Sequence, residues 1–292
     1  MTLSINPSYF CNFSCDFCYL TKEQLTTKTL LKLDSLDELL KQVPNIDYID
    51  LYGGEFSTLP IDYVWNLRNI IRKHYQGEIN IVTNFSVLRK EFLDKDISLS
   101  ISYDFAARER HEEVYNNMLM SEKEFSILIL ASKEVIEMDV SQMVEELNIL
   151  GNLTSVEIKP YSINQANQHT VTHRNYEDFV RKWLNKEKKF TFINEIKIQE
   201  SKDKVYDAFS NNHVYITPGG KFAVLEFDEE DKEYFLELDS FKEYKDWSNK
   251  EPEKLSPICL SCEYVGHCLT EHYRYVKDLD NSCSGYIGLL NG

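Results

Sequence analysis

The sequence predicts an α/β fold, and three observations carry that prediction. From Leu3 to Ser162, strand-like and helix-like stretches alternate, as they do when parallel strands are joined by helical crossovers. Phe125–Leu130 is a nearly continuous apolar run, the pattern of a parallel strand buried on both faces. Near Ser201 the character changes to a hairpin followed by four closely spaced cysteines, which predicts a small second unit.

Taken in order, Leu3–Pro7 reads as the first strand. Ser35-Leu36-Asp37-Glu38 is a capping box, so a helix is expected from Ser35 to Val43, stopped by Pro44. Tyr48–Tyr52 is the second strand. The helix after Ile61 places Val64, Leu67, Ile71 and Tyr75 on one face and ends at Gly77. Ile79–Val82 and Leu99–Tyr103 are the third and fourth strands, with a weak helix between them; a charged, exposed helix follows Arg108. After the Phe125–Leu130 strand come a helix over Val140–Leu150 and a sixth strand, Ser155–Lys159. Arg174–Leu184 reads as a helix, and Asn185–Lys197 as its return. His213–Phe227 is a hairpin turning at Pro218-Gly219-Gly220-Lys221, and Asp228–Glu233 is a solvated turn. Six β/α units suit either a doubly wound sheet or a partial barrel.

Composition limits the function classes. The 292 residues permit one large or two small domains. Asp and Glu outnumber Lys and Arg 48 to 32, for a net charge of −16, which repels phosphate backbones and argues against a nucleic-acid partner. No apolar run reaches membrane-spanning length and no basic n-region opens the chain, so a cytoplasmic protein without a membrane partner is expected. Seven cysteines in that setting read as metal or redox ligands rather than disulfides.

The most informative stretch is Cys11-Asn12-Phe13-Ser14-Cys15-Asp16-Phe17-Cys18. Thiols spaced C-x3-C-x2-C can hold three irons of a [4Fe–4S] cubane and leave the fourth open to a substrate or cofactor. A zinc knuckle is the alternative, although zinc sites more often pair two C-x2-C units or mix Cys with His. Further candidates fall at strand ends, where parallel β/α folds place their sites. These are Gly53-Gly54-Glu55, Thr83-Asn84, Ser102 with Asp104, and the polar loop Ser162, Asn164, Gln165 and Asn167.

Together these motifs resemble the radical S-adenosylmethionine (SAM) superfamily, whose cysteine motif is C-x3-C-x-aromatic-C, with Phe17 at the aromatic position. The resemblance selects a partial (β/α)6 TIM-like barrel over residues 1–170, a connecting helical segment over 171–200, and a small cysteine-rich α+β auxiliary-cluster domain over 201–292. It implies a SAM-binding [4Fe–4S] cluster on Cys11, Cys15 and Cys18, and SAM contacts from Phe17, Gly53, Gly54, Glu55, Thr83, Asn84, Ser102 and Asp104. Glu55 would take the methionine ammonium, with the two glycines allowing close backbone approach. Phe85 and Phe105 stand where the family's Thr-Asn-Gly and Ser-x-Asp stretches are usually completed by glycine.

Cys259-x2-Cys262-x5-Cys268, then Cys283, resembles part of the SPASM extension. The resemblance implies one fully ligated auxiliary [4Fe–4S] cluster; a structural zinc on the same thiolates is the alternative. Leu225 and His272 stand where a second auxiliary cluster would need cysteines. Three and four cysteines account for all seven, leaving no thiol to return a hydrogen atom. An oxidative modification of an unactivated C–H position is therefore expected, with a ribosomally made peptide or protein as the substrate by analogy. A small sugar- or aminoglycoside-type substrate is the alternative, because only ten residues precede Cys11; a peptide would otherwise need a separate presenting protein. The class also implies an electron donor such as flavodoxin or ferredoxin. A non-catalytic iron–sulfur or zinc protein is the reading from a different class.

Overall fold

The structure is a computed structural model and describes residues 1–161, 171–201, 213–225, 234–250, 261–263 and 289. Within them the chain runs β1 (Thr2–Ile5), α1 (Lys22–Thr26), α2 (Leu33–Leu40), β2 (Tyr48–Leu51), α3 (Ile61–His74), β3 (Ile79–Thr83) and β4 (Ile97–Ser102). It continues through α4 (His111–Leu119), β5 (Phe125–Ala131), α5 (Lys133–Ile136), α6 (Val140–Leu147), β6 (Leu153–Pro160) and α7 (His173–Leu184). Then come β7 (Thr191–Phe192), α8 (Ile193–Ser201), β8 (His213–Ile216), β9 (Phe222–Leu225), β10 (Phe235–Leu238) and α9 (Phe241–Lys250).

All ten strands form one sheet in the order β10-β9-β8-β1-β2-β3-β4-β5-β6-β7. Strands β1 to β6 pair in sequence, all parallel, which is the six-unit partial barrel. The hairpin β8–β9 is not detached from it: β8 pairs parallel with β1, and β9 and β10 extend the sheet antiparallel. One apolar face of each strand packs under the helices. Leu3, Ile5, Ile49, Leu51, Ile79 and Ile127 lie in the main core, together with Leu36, Leu67 and Val144 from the helices.

The opposite face differs from the sequence prediction. Phe125, Ile127, Ile129 and Ala131 are buried, but Ser126, Leu128 and Leu130 are only partly so. The β5 run is therefore buried on one face and lines the barrel interior with the other. That interior is polar, as the register Asp50↔Asn80, Asn80↔Ser98 and Ser100↔Ser126 shows.

Local expectations shift for identifiable reasons. α2 begins two residues before Ser35, with Lys32 at the N-cap and no side-chain cap. Leu33 packs against the core, so burying the Leu33–Leu36–Leu40 row outweighs the Ser35 capping box. Between β3 and β4 there is only a 3₁₀ turn, Lys90–Leu93. The helix after Arg108 is not wholly exposed, since Val114 and Met118 are buried. The 185–197 segment is not a simple return: Thr191 and Phe192 add a seventh parallel strand beside β6.

Side chains lock this last part in place. Asn194 accepts from Ile158 N at 2.7 Å and donates to Ile158 O at 2.8 Å, and Tyr176 Oη donates to the same carbonyl at 2.9 Å. Trp183, fully buried, stacks on Phe192 with ring centroids 5.7 Å apart and meets Phe179 edge-on. The expected result for Trp183→Ala is a loss of about 3–5 kcal/mol, the usual cost of removing a large core aromatic. Urea unfolding measures it, and an unchanged midpoint would show that α7 is not held through this ring.

Candidate functional site

The strand ends converge on the loop that follows β1. Cys11, Cys15 and Cys18 are half-buried and reduced. The loop folds around its own sulfurs: Phe13 N donates to Cys11 Sγ at 3.4 Å, Leu20 N to Cys18 Sγ at 3.4 Å, and Cys18 N to Cys15 O at 3.1 Å. Burial pushes the Cys11 thiol up to about 12 and the Cys18 thiol to about 11. Cys15 is raised by burial too, with the Arg108 cation opposing the shift. Thiolates here need a positive partner, which a metal provides.

Among the described residues, no three Cys, His, Asp or Glu side chains converge as ligands of a single ion would. Three reduced thiols on one loop, each approached by a donor, fit the corners of a cubane. Cys11, Cys15 and Cys18 are the residues that would hold it.

Gly53 and Gly54 have a reason the sequence did not reveal. Gly54 N donates to Ser8 O and Glu55 N to Phe10 O, both at 2.9 Å, so this turn is zipped against the segment that leads into Cys11. A Cβ on Gly54 would lie 2.2 Å from Phe10 O and 2.4 Å from Tyr9 O; one on Gly53 would lie 2.5 Å from Ser8 O. The close approach that demands glycine is therefore to the cysteine loop itself.

Glu55 is buried and accepts three protein hydrogen bonds: Ser57 N at 2.8 Å, Thr83 Oγ1 at 2.6 Å and Asn84 N at 2.6 Å. It thus ties the end of β2 to the end of β3, and most of its acceptor capacity is used. Asn84 carries the link onward, donating to Asn12 Oδ1 at 2.9 Å and lying 3.9 Å from Cys11 Sγ. Asn12 in turn donates to Ser86 Oγ at 2.9 Å.

Phe85 and Phe105, where the resemblance expects glycine, have left-handed backbone, with φ of 55° and 51°. Left-handed phenylalanine is strained. Packing offsets the strain: Phe85 is buried against Phe92 and Phe125, and Phe105 against Tyr103.

Asp104 is almost fully buried. Its Oδ1 accepts from Leu130 N at 2.6 Å, and its Oδ2 takes the Arg108 guanidinium. Ser102, partly buried, faces the interior in register with Leu128. Phe17 is buried in a small cluster with Tyr161 and Val171, beneath the Arg108 guanidinium at 5.4 Å from its ring. Arg108 is the residue the sequence reading missed: it reaches Asp104, Phe17 and, at 4.0 Å, Cys15 Sγ. Its one local signal was the four-residue spacing from Asp104. Glu109 also contributes, accepting from Ser14 N at 2.7 Å.

The structure thus brings Cys11, Cys15, Cys18, Gly53, Gly54, Glu55, Thr83, Asn84 and Asp104 to one end of the barrel. Cys262 is reduced and half-buried. Cys259, Cys268 and Cys283, and the loop residues Ser162, Asn164, Gln165 and Asn167, lie outside the described residues. No described helix is long and apolar enough to cross a membrane.

For Gly54→Ala, the rigid carbonyls at 2.2–2.4 Å predict overpacking that costs about 3 kcal/mol. The cysteine loop should be displaced as well. Urea unfolding of the metal-free chain and iron and sulfide analysis after reconstitution are the readouts. Wild-type values for both would show that the glycine zipper does not position the loop.

No protein-family profile matches the chain, and no curated protein sequence does. Solved structures do. anSMEcpe with bound AdoMet superposes with a TM-score of 0.67 at 15% identity, covering 99% of this chain and 94% of that one. Streptococcus suis SuiB bound to S-adenosylmethionine gives 0.66 at 16% identity, covering 91% and 71%. SuiB bound to its precursor peptide SuiA gives 0.64 at 15%, covering 97% and 75%. At that identity the likeness is one of architecture: this chain has the fold of anSMEcpe and SuiB, seen in the described residues as a partial β/α barrel extended by β8, β9 and β10.

Proposed function

We propose that this chain is a radical SAM enzyme that oxidatively modifies an unactivated C–H position, with a peptide or protein as substrate. The observation that carries the reading is the junction of three reduced cysteines with the Gly53-Gly54-Glu55 turn on one barrel end. When bound, a [4Fe–4S] cluster with SAM supplies a 5′-deoxyadenosyl radical that removes hydrogen from an otherwise inert carbon.

The chain's own residues supply position and shelter. Cys11, Cys15 and Cys18 would hold three corners of the cluster. Asn84 and Arg108 place donors near Cys11 and Cys15, favouring electron-rich sulfur. Glu55 fixes the β2 and β3 ends beneath the loop, and its remaining acceptor direction suits the methionine ammonium. Thr83, Ser102 and Phe17 are proposed for the rest of the nucleoside. Phe17, Phe13 and Leu20 are buried around the loop and exclude water from it, which a carbon radical requires.

Net oxidation is favoured because the seven cysteines divide into three and four, leaving none to return a hydrogen atom. The four at Cys259, Cys262, Cys268 and Cys283 are proposed to hold one auxiliary [4Fe–4S] cluster. A peptide substrate is supported by the likeness to anSMEcpe with bound AdoMet and Cp18Cys peptide and to SuiB with SuiA.

Anaerobic reconstitution followed by reduction with dithionite and addition of SAM tests the class. The expected product is 5′-deoxyadenosine, formed by the wild-type chain and abolished in Cys18→Ala. A wild-type chain that loads iron yet forms none would overturn the proposal.

A further inference from the structure

The barrel interior carries a second constellation, continuous with the cysteine end at Asn6, which lies against Gly53. Tyr215, Ser4, Asp50 and Asn80 form one row across four adjacent parallel strands, all facing inward. Asp50 receives a hydrogen bond from the Ser4 hydroxyl, and Ser4 Oγ is also 2.8 Å from His213 Nε2. No ion pair to Asp50 is found among the described residues. Glu157, the other interior carboxylate, differs: Lys159 contacts it at 2.8 Å and Lys197 pairs with it as well.

Two phenols, Tyr48 and Tyr215, lie close enough to Asp50 to feel its charge, while Tyr52 stacks on Tyr19 at 5.8 Å, beside Cys18. Tyr48 and Tyr52 stand two residues before and after it on the same strand face, and Tyr215 lies beyond Ser4 with its ring stacked 4.7 Å from that of His213. One step up β1, Asn6 is 0% exposed and neither of its side-chain amide atoms has a hydrogen-bond partner. A buried amide without partners costs about 1–3 kcal/mol unless something fills its needs.

We propose that the barrel interior is a subsite for a protonated primary amine of the substrate. Asp50 is its counter-ion, Tyr48 and Tyr215 flank it, and the Asn6 amide, which lies against Gly53, is an added acceptor. A carboxylate attracts an ammonium by charge and repels an anion. The nearby cation, Lys159, makes its ion pair with Glu157, and its charge is also felt at Asp50. The inference deepens the proposed function and rests on it in taking the barrel interior as the substrate chamber.

The charge states around the subsite give it a pH signature. Burial raises the Asp50 carboxyl to about 6, with the Ser4 hydrogen bond and Lys159 opposing the shift. Burial and then Lys159 hold His213 down to about 4, so it is neutral above that pH. Burial would raise Glu157, but Lys159 and Lys197 bring it to about 2. Burial raises Tyr48 and Tyr215, so both stay neutral phenols. Lys197 is lowered by burial and by Lys159, with Glu157 opposing. Asp50 is thus the group that changes charge near 6, and amine binding weakens as the pH falls through that value.

The test is ligand-observed NMR on the full reconstituted chain with SAM. The probes are butylamine, Nα-acetyl-lysine methylamide, its Nε-acetylated counterpart, and butyrate. Both amines are expected to bind and compete, to weaken below pH about 6, and to lose about tenfold in affinity in Asp50→Asn, the loss of one charge-assisted hydrogen bond. Tighter binding of the lysine probe would assign the amine to a peptide, and equal binding to a free amine. Equal binding of the Nε-acetylated probe, binding of butyrate instead, or a flat pH profile would overturn the inference. The acetylated control and the pH profile need no variant, so a folding defect in Asp50→Asn leaves the test intact. Formation of 5′-deoxyadenosine by the same wild-type sample separates the two readings: with it and no amine binding, only the subsite fails.

Discussion

The site depends on one buried carboxylate and the two glycines before it. Glu55 sits under the cysteine loop with its oxygens taken by Ser57, Thr83 and Asn84, while Gly53 and Gly54 press the end of β2 against Ser8, Tyr9 and Phe10. A buried charge without compensating donors costs several kcal/mol. β2, β3 and the cysteine loop must therefore be assembled together for any of them to be stable. The position of the thiols follows from that joint requirement, and through Asn84 and Asn12 it reaches Cys11 and the β3 end at once.

The same sheet serves two needs through the two-residue period of its strands. Outward positions such as Leu3, Ile49, Ile79 and Ile127 bind the helices and provide the core. Inward positions are spared that duty and carry Ser4, Asp50, Asn80, Ser100 and Glu157 instead. A packed apolar barrel would have been more stable but would leave no polar interior. Polar groups inside are affordable only when paired, and most are: Ser100 with Ser126, Glu157 with Lys159. Asp50 and Asn6 stand out because their needs are incompletely met.

Much of this was legible in the sequence because it depended on local pattern. Alternating strand and helix stretches gave six parallel strands, and the C-x3-C-x2-C and Gly-Gly-Glu motifs marked two strand ends that do meet. What was not legible depended on partners distant in sequence. Arg108 acquires its place from Cys15 and Phe17, some 90 residues earlier. Thr191 and Phe192 form a strand too short to show a period. The Ser35 capping box lost to the burial of Leu33. Phe85 and Phe105 depart from the expected glycines, yet both have left-handed backbone, with their rings packed in the core.

The central claim is that the three cysteines hold a cluster with an iron corner accessible to SAM. Electron paramagnetic resonance of the anaerobically reduced chain, recorded before and after adding SAM, tests this most directly. The account predicts a reduced-cluster signal whose g-values change on adding SAM and stay unchanged on adding S-adenosylhomocysteine's parent nucleoside, adenosine. A fully loaded chain whose spectrum is the same with and without SAM would contradict it.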